Sequence, residues 1–99
     1  MRKLEQKMVD AVDSAYPAKC GNNTEVYIMS NPSCIVVLLW GNMIYTKDIE
    51  TNVEEFSLAG WNTPTTRSRL RALGVNITYK KGIAYYKGAS ITNRQWVRK

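Results

Sequence analysis

The sequence predicts an α+β domain: an N-terminal helix packed on a small antiparallel sheet, then a short arginine-rich helix and a C-terminal β-hairpin. Three observations carry this. Apolar residues recur at helical spacing over Arg2–Tyr16. Short strand-like runs separated by turn residues fill Glu25–Leu58. Thr63-Pro64 and Gly74 bracket a second helix, after which the apolar period changes from about 3.6 to 2. Ninety-nine residues, 44% of them hydrophobic, suffice for one domain over 1–99 with a modest core and no metal or disulfide staple. No repeat or linker divides it.

In the first element, Leu4, Met8, Ala11/Val12 and Ala15 form one stripe, with Glu5, Lys7, Asp10 and Asp13 elsewhere, and Pro17 ends the helix. Ala18–Thr24 reads as a polar loop around Gly21-Asn22-Asn23. Glu25–Ser30 reads as a strand and Asn31-Pro32-Ser33 as a turn. Cys34–Trp40 is almost continuously apolar, the pattern of a central strand buried on both faces. Gly41-Asn42 suits a two-residue hairpin turn and Met43–Ile49 the returning strand. Trp40 and Tyr45 are expected to pack near that turn. Asp48–Glu55 holds four acids and reads as a solvated loop. Val53–Leu58 reads as a strand with Phe56 and Leu58 inward, and Trp61 as a lid on the core at the next helix start.

Thr63 can cap that helix through its hydroxyl, and Pro64 suits the first helical position, where no N–H donor is needed. Gly74 stops it. On a helical projection Thr66, Leu70 and Leu73 face the core, Arg67 and Arg71 share one flank, Arg69 takes the other, and Ser68 and Ala72 lie outward. Arg69, at the core edge, is expected to pair with Glu54 or Glu55. Val75, Ile77 and Tyr79 then alternate with polar residues, Lys81-Gly82 turns the chain, and Ile83–Tyr86 returns. Ala89–Asn93 reads as a third strand and Arg94–Lys99 as a loose basic end containing Trp96. A capped helix and a basic hairpin outline a winged helix, but that fold needs a helix where Val53–Leu58 reads as a strand.

The run Trp61-Asn62-Thr63-Pro64-Thr65-Thr66-Arg67-Ser68-Arg69-Leu70 resembles a Trp-x-Thr-x-Thr-Thr-x-x-Arg-Leu/Ile segment of small tailed-bacteriophage proteins, most of unassigned function. The resemblance covers about a third of the chain. It implies a phage accessory protein made in the cytoplasm of an infected bacterium, and it carries over no catalytic residue.

Charge is divided unevenly. Residues 1–60 hold five Lys/Arg against eight Asp/Glu, a net of −3; residues 61–99 hold nine Lys/Arg and no acid. Such a half is suited to an anionic partner. No catalytic set is legible: histidine is absent, and neither a nucleophile–base pair nor a phosphate-cradling loop occurs. Cys20 and Cys34 are too few and too far apart for a zinc site and read as reduced thiols, so no metal or cofactor is expected. There is no apolar run long enough for a membrane span and no apolar segment after Met1-Arg2-Lys3 that resembles an export signal. Two functions fit. One is a non-enzymatic protein that binds nucleic acid through Trp61, Arg67, Ser68, Arg69, Arg71, Lys80, Lys81, Tyr86, Lys87 and Arg94. The other uses the same surface to bind and inhibit a host protein or ribonucleoprotein, such as a defence or transcription complex.

Overall fold

Helix α1 (Lys3–Ser14) turns its apolar stripe inward and buries Met8, Ala11 and Val12, together with Glu5. It stops at Ala15, which is left-handed at φ 53°, and Pro17 prevents its resumption. The computed structural model describes all of residues 1–99. From here the chain runs as an antiparallel meander of five strands: β1 (Ala18–Cys20), β2 (Thr24–Ser30), β3 (Ser33–Leu39), β4 (Asn42–Asp48) and β5 (Glu54–Phe56). Helix α2 (Pro64–Ala72) follows. A second meander of three strands comes next: β6 (Ile77–Lys80), β7 (Ile83–Tyr86) and β8 (Ala89–Ile91). Finally β9 (Val97–Arg98) returns to the first sheet and lies beside β5. The α+β arrangement is the one expected, with more strands than the sequence suggested.

Alternation sets the faces. Val26, Ile35, Val37 and Leu39 point inward from β2 and β3. On β4 a bulge opposite Val37 and Leu38 inserts one residue, so that Ile44 and Tyr45 are both buried in the core. The inner face of the smaller sheet contributes Ile77, Ala84, Tyr86 and Ile91. Helix α2 lies between these parts, against α1 and β4 on one side and β6 on the other. One cluster of 19 buried hydrophobic residues spans both helices and both sheets.

Several local expectations change. Ala18–Cys20 pairs with Thr24–Val26 instead of forming loop. β3 is buried on both faces at its middle but joins the core cluster on one: Ile35, Val37 and Leu39 enter it, while on the other face Val36 is buried between the half-buried Cys34 and Leu38. The hairpin turn is Trp40-Gly41, with φ of 51° and 78°, and Asn42 already pairs with Leu39. Beyond that turn the β4 bulge shifts the register by one residue, from Leu38 opposite Met43 to Val37 opposite Tyr45. The basic end is tied down: Val97 pairs with Phe56, Arg98 with Glu55, and the Lys99 amine bonds the Glu54 carboxylate at 3.1 Å. Because β5 precedes α2, the winged-helix outline does not apply.

Candidate nucleic-acid interface

The start of α2 is built as its sequence implies. The Thr63 hydroxyl accepts the Thr66 N–H at 3.2 Å, Pro64 opens the helix, and Gly74, at φ 87°, lies just beyond its end. The arginines behave differently from the helical projection. Because α2 is covered on both flanks, two of the three are internal.

Arg69 is only 3% exposed. Its guanidinium donates to the Glu5 carboxylate at 2.9 Å and to the Thr24 hydroxyl at 3.0 Å. The partner is therefore Glu5 on α1, not Glu54 or Glu55, which are on β5. Ser68 is also not outward: it is half-buried, and its hydroxyl donates to the same Glu5 oxygen at 2.5 Å. Arg67, 7% exposed, turns toward the smaller sheet. It donates to the Asn62 carbonyl and amide oxygens, and its guanidinium lies 4.0 Å from the centre of the Tyr79 ring. Such stacking fixes the planar guanidinium. Tyr86 likewise leaves the expected contact set. It is a core residue, edge-on to Phe56 with ring centres 4.9 Å apart.

Arg71, Lys80, Lys81, Lys87 and Arg94 remain exposed. Arg71 keeps one bond, from Nε to the Ile77 carbonyl, and the Lys87 amine lies 5.3 Å from the Tyr86 ring centre. Of the nine cations in 61–99, Arg67 and Arg69 are buried, and Lys99 is exposed but paired with Glu54; the other six, Arg98 included, are exposed and have no carboxylate partner. Five of the six belong to α2, the smaller sheet and its turns, and the segment after it; Arg98 is on β9 beside β5. Lys81 and Lys87 occupy the two X-Gly turns at opposite ends of β7, both left-handed. Asn62, just ahead of α2, contacts the carbonyl of Gly82 at 3.5 Å, which places the Lys81 turn near the start of the helix. Arg71 and Lys87 lie toward its other end, where Lys87 and Lys99 share a polar cleft with Asn76 and Thr78.

The tryptophans also differ from expectation. Trp40 was expected to pack near the hairpin turn, and Trp61 to cover the core as well as to join the contact set; at 66% and 60% exposed, neither is a packing residue and Trp61 keeps its place in the contact set. Both line one cleft of 490 Å³ between the β3–β4 turn and the start of α2. Its floor is Leu39, Ile44 and Leu58; Asn42, Thr63 and Thr65 supply polar groups; no lining residue is charged. The Arg94 guanidinium lies beside Gly60, where a Cβ would stand 3.1 Å from it, next to Trp61. From the sequence Trp40 reads as a packing residue and Asn42 as part of the turn, and neither reads as part of a site. The available signal was Trp40-Gly41 itself, since X-Gly is a two-residue hairpin turn.

Elsewhere the chemistry is quiet. Cys20 and Cys34 are free, and burial pushes both thiols up. Cys20 belongs to the core while Cys34 lies on the opposite sheet face, 3.6 Å from the Met29 sulfur. No three His, Cys, Asp or Glu side chains converge as a metal would require. No helix is long and apolar enough to cross a membrane.

These features belong to a phage protein. The chain is a member of the Kyanoviridae Gp96 protein family, whose model matches residues 1–99. The family agrees with the phage origin implied by the Trp61–Leu70 segment and leaves the segment's role open. Neither the curated proteins nor the solved structures contain a match.

Proposed function

We propose that this phage protein is non-enzymatic and binds nucleic acid in the infected bacterium's cytoplasm, through the surface formed by residues 61–99. The supporting observation is the group of six exposed cations, Arg71, Lys80, Lys81, Lys87, Arg94 and Arg98, in a stretch without a carboxylate. Arg67, Ser68, Arg69 and Tyr86 drop out of the contact set, because each is engaged within the fold. Neutralising phosphates releases counterions, so log affinity falls with log salt by about 0.9 per phosphate on duplex and about 0.7 on a single strand. With about four to six contacts, the expected duplex slope is about −4 to −5. A salt titration with fluorescent oligonucleotides measures it. A flat slope, or no binding at low salt, refutes the proposal.

A separate observation favours the host-protein reading. The outer face of the larger sheet carries Tyr27, Met29, Cys34, Leu38 and Met43 side by side, half-buried or exposed. Apolar patches of this kind mark protein contacts. A host partner that survives nuclease treatment, and is lost on Leu38→Lys while the fold is kept, would favour this reading over the first.

A further inference from the structure

The Trp40–Trp61 cleft has a composition unlike the rest of the surface, and Trp40 is held there at an energetic cost. The first position of a two-residue hairpin turn with φ above zero suits Asn, Asp or Gly; a bulky side chain there is an outlier. Trp40 adopts φ 51° in that position and still leaves its indole two-thirds exposed. Backbone strain of this kind persists where the side chain's placement matters. Trp61 follows a second left-handed pair, Ala59-Gly60, at φ 54° and 87°, and lines the same cleft. Two independent turns thus bring two indoles to one uncharged, apolar-floored recess.

We infer that this cleft receives an unstacked base of a single-stranded nucleic acid, which contacts both indoles while the strand's phosphates meet Arg94 and Lys81. The inference rests on the nucleic-acid reading above and makes it specific. Every base has a π-face, so aromatic side chains hold single strands with little regard to sequence. The recess is within the usual size of ligand clefts, with Asn42 and Thr65 able to hydrogen-bond a base edge. Charge favours this occupant over a basic or neutral peptide, and the flat indole faces favour a base over the side chains of an acidic one. Arg94 stands beside Gly60, and the Lys81 turn is joined to Asn62. A paired duplex keeps its bases stacked inside and cannot fill the recess.

The test uses the full chain with Trp96→Phe, so that emission reports Trp40 and Trp61 alone. Short oligothymidylate, its oligouridylate counterpart and a duplex of equal length are titrated in turn. Both single strands should quench the emission and the duplex should not; the two strands compared with each other tell DNA from RNA. Trp61→Ala should weaken single-strand binding on the order of ten-fold or more and leave duplex binding unchanged. Trp40→Asn is the sharper variant. It removes the indole but installs a residue suited to the left-handed turn, so the melting temperature should hold or rise while single-strand affinity falls. Oligonucleotides that bind with a salt dependence but no quenching, or a Trp40→Asn protein that binds single strands undiminished, overturn the base cleft and leave the basic-surface reading standing. Failure of every oligonucleotide to bind overturns both.

Discussion

Replacing Glu5 with leucine strands the Arg69 guanidinium in the core. In the native protein the two side chains are 6% and 4% exposed, and the pair joins α1 to α2 at 2.9 Å, with Ser68 and Thr24 completing the set. Every buried side-chain nitrogen and oxygen has a partner. Glu5→Leu removes the acceptor for both Ser68 and the guanidinium, leaving only the Thr24 bond to Arg69. Arg69→Met leaves a buried carboxylate with one hydroxyl donor. Removing one member of a buried ion pair typically costs about 3–5 kcal/mol, because the remaining charge is desolvated and unmatched. That is a large share of the total for a domain of this size, about 5–15 kcal/mol. With a urea dependence of about 2 kcal/mol per molar, a loss of about 4 kcal/mol lowers the midpoint by about 2 M. The double variant Glu5→Leu/Arg69→Met removes both charges and should return close to the parent, since apolar replacement of a buried pair is often neutral or stabilising. Urea denaturation of the four proteins, followed by far-UV circular dichroism, completes the cycle. Single variants with midpoints within about 0.5 M of the parent, the behaviour of a surface pair, would refute the burial of Arg69 and return it to the binding surface.

Two further outcomes are expected. Thr63→Ala should destabilise the fold by about 1 kcal/mol through the lost cap on the Thr66 N–H, read by the same denaturation; no change would mean that the hydroxyl does not hold the helix start. Burial, together with the bond Tyr45 donates to Glu54, raises the tyrosine's pKa far above its ordinary 10.0. The folded protein therefore keeps this proton after the unfolded chain has lost it, so stability is whole below about pH 10 and declines above it. Tyr45→Phe should flatten that alkaline decline in melting temperature, and an unchanged slope would contradict the buried hydroxyl.

What could be read from the sequence was what depends on neighbours a few residues apart. Thr63-Pro64 and Gly74 delimit α2 because capping and left-handed stops are local chemistry. The β2–β3–β4 meander follows from apolar runs and short turns in the same way. The arginines were misplaced because a helical projection finds one apolar face, whereas α2 is covered on two flanks. Arg67 and Arg69 fill those flanks with their stems while their heads find Asn62, Tyr79 and Glu5. Nothing near Arg69 in the chain indicates Glu5. The two-residue strand β9 is likewise set by a distant partner, β5, and it put Lys99 on Glu54.

The β5–β9 pairing gives the fold a closing order. The β2–β3–β4 hairpins join residues close in the chain, so they can form early, when little loop entropy opposes them. The free side of β5 has no partner until α2 and the whole of the smaller sheet have been laid down, because Val97 and Arg98 lie beyond them. An unpaired strand edge can accept a strand from another molecule. During synthesis on a ribosome the growing chain therefore carries an open edge at β5 for longer than anywhere else among the central strands, and the residues that seal it emerge only after α2 and the smaller sheet.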